Sequence, residues 1–293
     1  MKSGYVALVG RPNVGKSTLL NHLVGQKISI TSRRPQTTRH RIHGIKTTVE
    51  GQAVFVDTPG IHASQKRAMN RYLNKTAGSA LSDVDLIVWL LDRPAWLTED
   101  DLVMERIKRS GIPVILVINK VDRIEDKDQL LPFLKDAGTR HDFVEIIPIS
   151  ALKGANLDVL ESRIMSLLPE GEPIFAEDQV TDRSMRFMAA EIIREKLLRS
   201  LGQEVPHAIT VEIEQFKQET DLIRLSALIW VERDGQKAIV IGQKGEVLKK
   251  VGERSRHDME RLFESKVFLQ LWVKVKEGWS DDERALRSLG YGE

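Results

Sequence analysis

The sequence predicts an α/β domain, with a mostly parallel sheet flanked by helices, followed by a smaller α+β domain. Three observations lead there. Short apolar runs alternate with helical stretches over residues 5–168, the signature of βαβ units. The stretch "PEGEPIFAEDQVTD" at 169–182 then breaks the alternation with two prolines, a glycine and a cluster of acids. Beyond it, a long helical pattern precedes two strand patterns, a second helix and a last strand. At 293 residues the chain has room for two cores.

In chain order, strand patterns fall at 5–9, 45–49, 53–56, 86–91, 114–118 and 144–148, with helical ones at 16–23, 100–109 and 157–168. The two strands around Gly51 read as a hairpin, so one edge of the sheet is expected to be antiparallel. In the second half a helix is expected over 183–201. Met185, Met188, Ala189, Ile192, Ile193 and Leu197 recur there at helical spacing as core filling, and Gly202 stops the run. Strands follow at 208–216 and 221–232, a helix at 246–264, and a strand at 266–276 that puts Val267, Leu269, Leu271, Val273 and Val275 on one face. By local pattern alone "KAIVI" at 237–241 also reads as a strand. The tail at 280–290 carries Ser280 and Glu283 as a capping box and Gly290 as its stop. These signals divide the chain into 1–170, a linker at 171–182, 183–276 and a tail at 277–293.

Composition narrows the chemistry. The absence of cysteine removes disulfides and thiolate metal sites, and the histidines have no ligand spacing. No apolar run approaches the roughly 18 residues of a membrane span. An apolar strand leads straight into the first glycine loop, so no secretory leader is expected. A cytoplasmic protein is the expectation. The net charge of +2 says little, but its distribution is uneven. Residues 27–46 carry six basic side chains and no acidic one, and 242–256 carry five basic against two acidic. Such clusters are solvated faces or sites for an anionic partner.

"GRPNVGKS" at 10–17 fits G-x-x-x-x-G-K-[ST], between a strand and a helix. Gly10 and Gly15 let the backbone N–H groups of the loop, through Arg11, Pro12, Asn13 and Val14, close around phosphates at a helix N-terminus opened by Thr18. Lys16 can reach the β- and γ-phosphates, and Ser17 can ligate Mg²⁺. "DTPG" at 57–60 ends a strand. Its Asp57 can hold Mg²⁺ through water and the Gly60 N–H can meet the γ-phosphate, with Thr58, Pro59 and Ile61 around them. "NKVD" at 119–122 ends another strand. Asp122 can accept from guanine N1–H and the exocyclic amine, and Asn119 ties the base site together with Lys120 and Val121. Adenine would leave a buried carboxylate unpaired, a discrimination of about 10⁴-fold. Ser150, Ala151 and Leu152 supply backbone over the base.

In these motifs 4–168 resembles the translation-factor-like class of GTPases, with GTP and GDP as ligands. Within that class "PQTTRHR" at 35–41 is similar to the first switch, and the resemblance makes Thr38, rather than Thr37, the Mg²⁺ ligand. Ile61 stands where Ras-like proteins carry a water-orienting glutamine; it has no polar atom, so unaided hydrolysis is expected to be slow. Asn13 is similar to the asparagine that positions K⁺ in related GTPases; a capping role within the loop is its alternative. Lys16, Thr38, Gly60 and Asn13 are therefore the candidate catalytic residues.

"IGQKG" at 241–245 lacks the spacing of a second nucleotide loop. Its G-x-x-G resembles a type II KH domain, in which 237–241 is a helix instead of a strand. Gly242 and Gly245 would let the backbone approach RNA closely, with Ile241, Gln243, Lys244, Lys249 and Lys250 beside it. A P-loop GTPase domain followed by a type II KH domain resembles the Era family of bacterial GTPases. "GQKISITSRRPQTTRHRI" (25–42), "TDRSMRFMAAEIIREKL" (181–197) and "LWVKVKEGWSDDERALRSLGY" (271–291) carry the likeness. It implies binding near the 3′ end of 16S ribosomal RNA, a part in small ribosomal subunit assembly, peripheral association with the inner membrane at its cytoplasmic face, and no DNA partner. The competing reading is a membrane-associated regulatory GTPase whose second domain binds protein.

Overall fold

The structure, a computed structural model, describes every residue except 33, 35, 61–66, 80, 82, 126, 127, 129, 203–208, 292 and 293. Ile61 thus lies outside the described residues. The chain forms two compact units, with a boundary after Asp182.

The first unit is a sheet of β1 (Lys2–Val9), β2 (Ile42–Thr47), β3 (Gly51–Asp57), β4 (Leu86–Leu91), β5 (Val114–Ile118) and β6 (Glu145–Pro148) in the order β2-β3-β1-β4-β5-β6. Only β2 is antiparallel to its neighbour. The helices α1 (Lys16–Val24), α2 (Ala68–Ser79), α3 (Thr98–Ser110) and α4 (Leu130–Arg140) connect the strands, and α5 (Leu157–Leu167) follows β6. Every residue of β4 and β5 is buried, because parallel strands are covered on both faces. This explains why their sequences are uninterrupted apolar runs. The ends of β1, β3, β4 and β5 bring the nucleotide motifs to one edge of the sheet, where ligands bind in open α/β folds.

The segment expected as a linker is stitched to this unit. Buried Gln52 accepts from the N–H groups of Ile174 (2.7 Å) and Phe175 (2.8 Å) and donates to the Phe175 carbonyl (2.9 Å). Farther on, Ile45 N–H donates to the Val180 carbonyl and Asp182 accepts from His43 N–H. Its prolines break the helix pattern without freeing the chain.

The second unit takes in Arg183–Glu293, Ser32–Thr37 and the first two residues of α2, Ala68 and Met69. It contains α6 (Met185–Ser200), β7 (Thr210–Gln218), β8 (Leu222–Val231), α7 (Asp234–Ile241), α8 (Glu246–Phe263), β9 (Lys266–Val275) and α9 (Glu283–Ser288). β7 pairs antiparallel and β9 parallel with the central β8. A bulge between Ile213 and Gln215 keeps Ile213 and Phe216 both on the core side. Ala189, Ile192, Ile193 and Leu197 of α6 join Val251 and Met259 of α8 over one face of the sheet. Buried Arg194, paired with Glu191 at 2.7 Å, donates to the carbonyls of Gln36 and Thr37.

Local expectations fail in three places here. Residues 237–241 belong to the helix α7, as the resemblance implied and the strand pattern did not. Gln236 turns back to accept from the N–H groups of Glu232 and Arg233, which starts that helix. The cap of α9 is Asp282, which accepts from Arg284 and Ala285 N–H; the Ser280 hydroxyl is occupied by Glu232. α6 ends at Ser200, and Gly202 is not among the residues with a left-handed backbone.

Candidate functional site

Gly15 sits at φ 113° just ahead of α1, and a Cβ there would stand 2.2 Å from Asn119 Nδ2. Only glycine lets the phosphate loop lie this close to the base loop. Asn119 uses the closeness: its Nδ2 donates to the Val14 carbonyl (2.7 Å), while its Oδ1 accepts from Lys120 N–H (2.8 Å) and Ala151 N–H (2.9 Å). One side chain thereby joins the loops after β1, β5 and β6. Lys120 adds a second tie, its Nζ donating to the Asn13 carbonyl at 2.7 Å. Asn13 itself is exposed, with φ 64°, a backbone that asparagine tolerates. The N-cap position of α1 belongs to Gly15, so Asn13 is not the helix cap.

Asp122 is exposed, which corrects the expectation of a buried carboxylate; a stacked base would itself supply the burial. Ser150 Oγ donates to Asp122 Oδ1 and orients the carboxylate. Ala151 is buried, whereas Leu152 is 61% exposed and contributes no packing beneath the loop.

Beside the phosphate loop, Ser17 Oγ lies 2.7 Å from Asp57 Oδ2 and 2.9 Å from Thr38 Oγ1, and Thr38 lies 3.4 Å from the same carboxylate oxygen. The structure brings Thr38 to this cluster and turns Thr37 to the Arg34 carbonyl and the Ser32 hydroxyl. Asp57 is fully buried, and its Oδ1 has no hydrogen-bond partner among the described residues. A carboxylate with one buried oxygen free of donors, and with the Ser17 and Thr38 hydroxyls gathered on its other oxygen, fits Mg²⁺, which takes hard oxygen ligands. Ser17, Thr38 and Asp57 are the residues that would hold it. Thr58, also buried, donates to the Leu8 carbonyl, and Gly60 lies against Pro12.

Lys16 is buried, with its Nζ donating to the carbonyls of Gly10 (3.0 Å) and Arg11 (2.9 Å). Burial pulls its ammonium down to about 8, against the attraction of Asp57. Burial also pushes the Asp57 carboxyl above the usual carboxylate range, although Lys16 and the hydroxyls of Ser17, Ser29 and Thr38 draw it back. Phosphate groups beside Lys16 would favour its charged form. The sign follows: binding takes up a proton once the pH exceeds about 8, so nucleotide affinity declines as the pH rises through that value. Titration calorimetry of GDP binding at alkaline pH, in buffers of different ionisation enthalpy, should register proton uptake. Lys16→Ala should erase it. Uptake that persists in the variant would assign it to another group.

Three residues here escaped the sequence reading. Ser29 is buried and donates to Asp57 Oδ2 at 2.8 Å, with no motif to announce it. Asp92, just beyond β4, pairs with Arg11 at 2.9 Å and Lys120 at 3.4 Å. Burial opposes its ionisation, but Arg93, Lys120 and Arg11 hold it down at about 2. Asp100 completes the set on Arg11 Nε at 2.8 Å. The position of Asp92 at the C-terminal end of a buried strand was the available signal.

The other glycine loop joins α7 to α8. Gly242 has φ 74° and a Cβ there would meet Val247 at 2.4 Å, while Gly245, at φ 81°, has open space around it. Lys244 between them has φ 51° and ψ 24°. Gln243, Lys244, Lys249 and Lys250 are exposed, and Ile241 is half-buried. Val251, Ser255 and Met259 at intervals of four seat α8 on the core, which leaves Lys249 and Lys250 outward beside the loop.

The fold and these loops define a P-loop GTPase domain followed by a KH domain. Residues 5–120 match the family described as 50S ribosome-binding GTPase, and residues 204–280 match the KH domain. The GTPase Era of Pseudomonas aeruginosa (strain UCBPP-PA14) is 60% identical over 292 residues, spanning 100% of this chain and 96% of the relative. GTPase Era of Ectopseudomonas mendocina (strain ymp) is 59% identical, spanning 99% and 97%. Two solved structures superpose with a TM-score of 0.97 at 42% identity over 100% of both chains. One is an Aquifex aeolicus Era variant bound to GDP·AlF4⁻, the other Era with MgGDPNP and nucleotides 1506–1542 of 16S ribosomal RNA. This chain belongs to the Era family, and it hydrolyses GTP to GDP and phosphate. Among the described residues no helix is long and apolar enough to cross a membrane.

Proposed function

We propose that this chain is a GTP-driven switch that binds 16S ribosomal RNA near its 3′ end through the KH domain and acts in the cytoplasm in assembly of the small ribosomal subunit. One observation carries the reading: a single chain holds two loops of bare backbone, one against Asn119 of the NKVD segment and the other beside exposed lysines. The complex of the similar Era with 16S nucleotides 1506–1542 supports the choice of RNA. At the first loop Ser17, Thr38 and Asp57 would hold Mg²⁺, which would supply charge neutralisation for the β- and γ-phosphates. Lys16 and the backbone N–H groups of the loop orient the same phosphates, and Asp122 selects guanine.

Gly245→Asp tests the RNA reading. Aspartate tolerates the left-handed backbone better than most side chains, and the open space around Gly245 leaves backbone strain at φ 81° as the only cost, which an unchanged GTP affinity and a melting curve would show to be borne. Gly242→Asp is less informative because its Cβ would collide with Val247. In a filter-binding assay with 16S nucleotides 1506–1542, Gly245→Asp should weaken binding by about tenfold or more, while GTP affinity stays unchanged. Undiminished RNA affinity would remove the clamp from the account.

Asn13 is proposed to position K⁺ beside the phosphates, where a cation can stand in for an arginine finger. Hydrolysis should then run faster in KCl than in NaCl, and Asn13→Ala should abolish the difference. Equal rates in the two salts would exclude it.

A further inference from the structure

The face of the second unit's sheet opposite α6 and α8, which the tail covers at the Thr210 end through the Thr210–Tyr291 hydrogen bond, has no part in the scheme above. β9 lies at the edge of that sheet, and its side chains alternate. Val267 and Val273 are in the core, with Leu269, Leu271 and Val275 packed against it. The outward positions read Lys266, Phe268, Gln270, Trp272 and Lys274, without an acidic residue. Phe268 and Trp272 are each 45% exposed.

The neighbouring strands extend this composition. Arg224 lies in register with Phe268, Leu228 with Trp272 and Trp230 with Lys274. On the far strand Lys217 stands opposite Arg224, and Glu212 opposite Leu228. The face thus carries Lys217, Arg224, Lys266 and Lys274 against Glu212 and the exposed bulge residue Glu214, and the Glu212 carboxylate is engaged by the Trp230 indole N–H at 2.8 Å. Arg224 also pairs with Glu219 in the β7–β8 turn. Its guanidinium rests 5.6 Å from the Phe268 ring, and Lys276 sits 5.8 Å from the Trp230 ring.

Aromatic side chains left half in water and interleaved with cations are the makings of a single-stranded nucleic-acid platform, where bases stack on the rings and phosphates meet the charges. Phe268 and Trp272 are four residues apart on one strand, about 13 Å, which is room for separate bases. The excess of positive charge favours a polyanion over an apolar protein surface. The length of the RNA points the same way. The complex of the similar Era spans nucleotides 1506–1542, whereas a G-x-x-G clamp holds about four. Resting on the reading of this chain as a 16S RNA binder, we propose that the outer sheet face is a second RNA platform. Phe268 and Trp272 stack unpaired bases, and Arg224, Lys266 and Lys274 contact phosphates outside the clamp.

The test uses the full chain and RNA of 16S nucleotides 1506–1542. Phe268→Ser with Trp272→Ser truncates two half-exposed side chains, so the melting temperature should fall only modestly while RNA-free GTP hydrolysis matches the unaltered chain. RNA affinity should fall by about tenfold or more. Lys266→Gln with Lys274→Gln should flatten the slope of log affinity against log salt by roughly 1.4, the value for two phosphate contacts on a single strand. Combined with Gly245→Asp, the aromatic losses should multiply, because the two surfaces act on different nucleotides. Unchanged affinity and slope in both double variants would overturn the platform and leave the face to a protein partner. Absence of binding by the unaltered chain would overturn the 16S reading, and the platform with it.

Discussion

Asp122→Asn is expected to lower GTP affinity by about 10⁴-fold and to admit xanthosine triphosphate in its place. Ser150 engages one oxygen of the carboxylate and fixes its plane. The remaining lone pairs can accept from the guanine N1–H and the exocyclic amine together. An asparagine turned toward the base sets its own N–H₂ against those donors, leaving groups unpaired on both sides once water is excluded. Xanthine carries a carbonyl where guanine has the amine, so the same N–H₂ then meets an acceptor. The measurement is competition between GTP and xanthosine triphosphate for a fluorescent nucleotide. Retention of GTP affinity within about threefold would show that specificity lies elsewhere in the pocket, since loss of a paired polar group in such a site is costly.

Lys16→Ala should slow single-turnover GTP hydrolysis at saturating nucleotide by about 10²–10³-fold, the cost of losing one preorganised charge at the reacting centre. The structure supplies the preorganisation. Lys16 already spans the loop, with its ammonium on the carbonyls of Gly10 and Arg11, and needs only to exchange those acceptors for phosphate oxygens. The folded state sustains this charge under strong burial, which is why its pKa is depressed to about 8. Hydrolysis unchanged in the variant, with nucleotide bound, would mean that the lysine serves affinity alone.

Much of the nucleotide site was legible because its requirements are local. Gly10, Gly15, Lys16 and Ser17 act within one turn of chain, and their spacing follows from how backbone wraps a phosphate. The runs at 86–91 and 114–118 became β4 and β5 with the expected bounds, since a strand buried on both faces has little choice of side chain. The polar framework was not legible. Asp92 meets Arg11 across 81 positions and Gln52 meets Phe175 across 123, and no short pattern encodes either. Thr37 and Thr38 are adjacent and chemically alike; only the placement of Ser17 and Asp57 tells them apart.

The second unit divides in the same way. The G-x-x-G loop stood out in the sequence because glycine alone adopts positive φ freely and exposes backbone. Whether "KAIVI" became a strand or a helix depended on packing: Val240 is fully buried in the core while Ile239 is 51% exposed, an arrangement that local β-propensity does not foresee. The sequence by itself determined the layering of the two domains and the two glycine loops, with the Asn119–Asp122 segment at the end of a buried strand, for these follow from steric rules acting over a few residues. Tertiary structure alone decided which hydroxyls converge on Asp57, where the linker is held, and that Phe268 and Trp272 stand half in water beside cations. Each of those outcomes is a contact between distant parts of the chain, and its energy exists only once the backbone has folded.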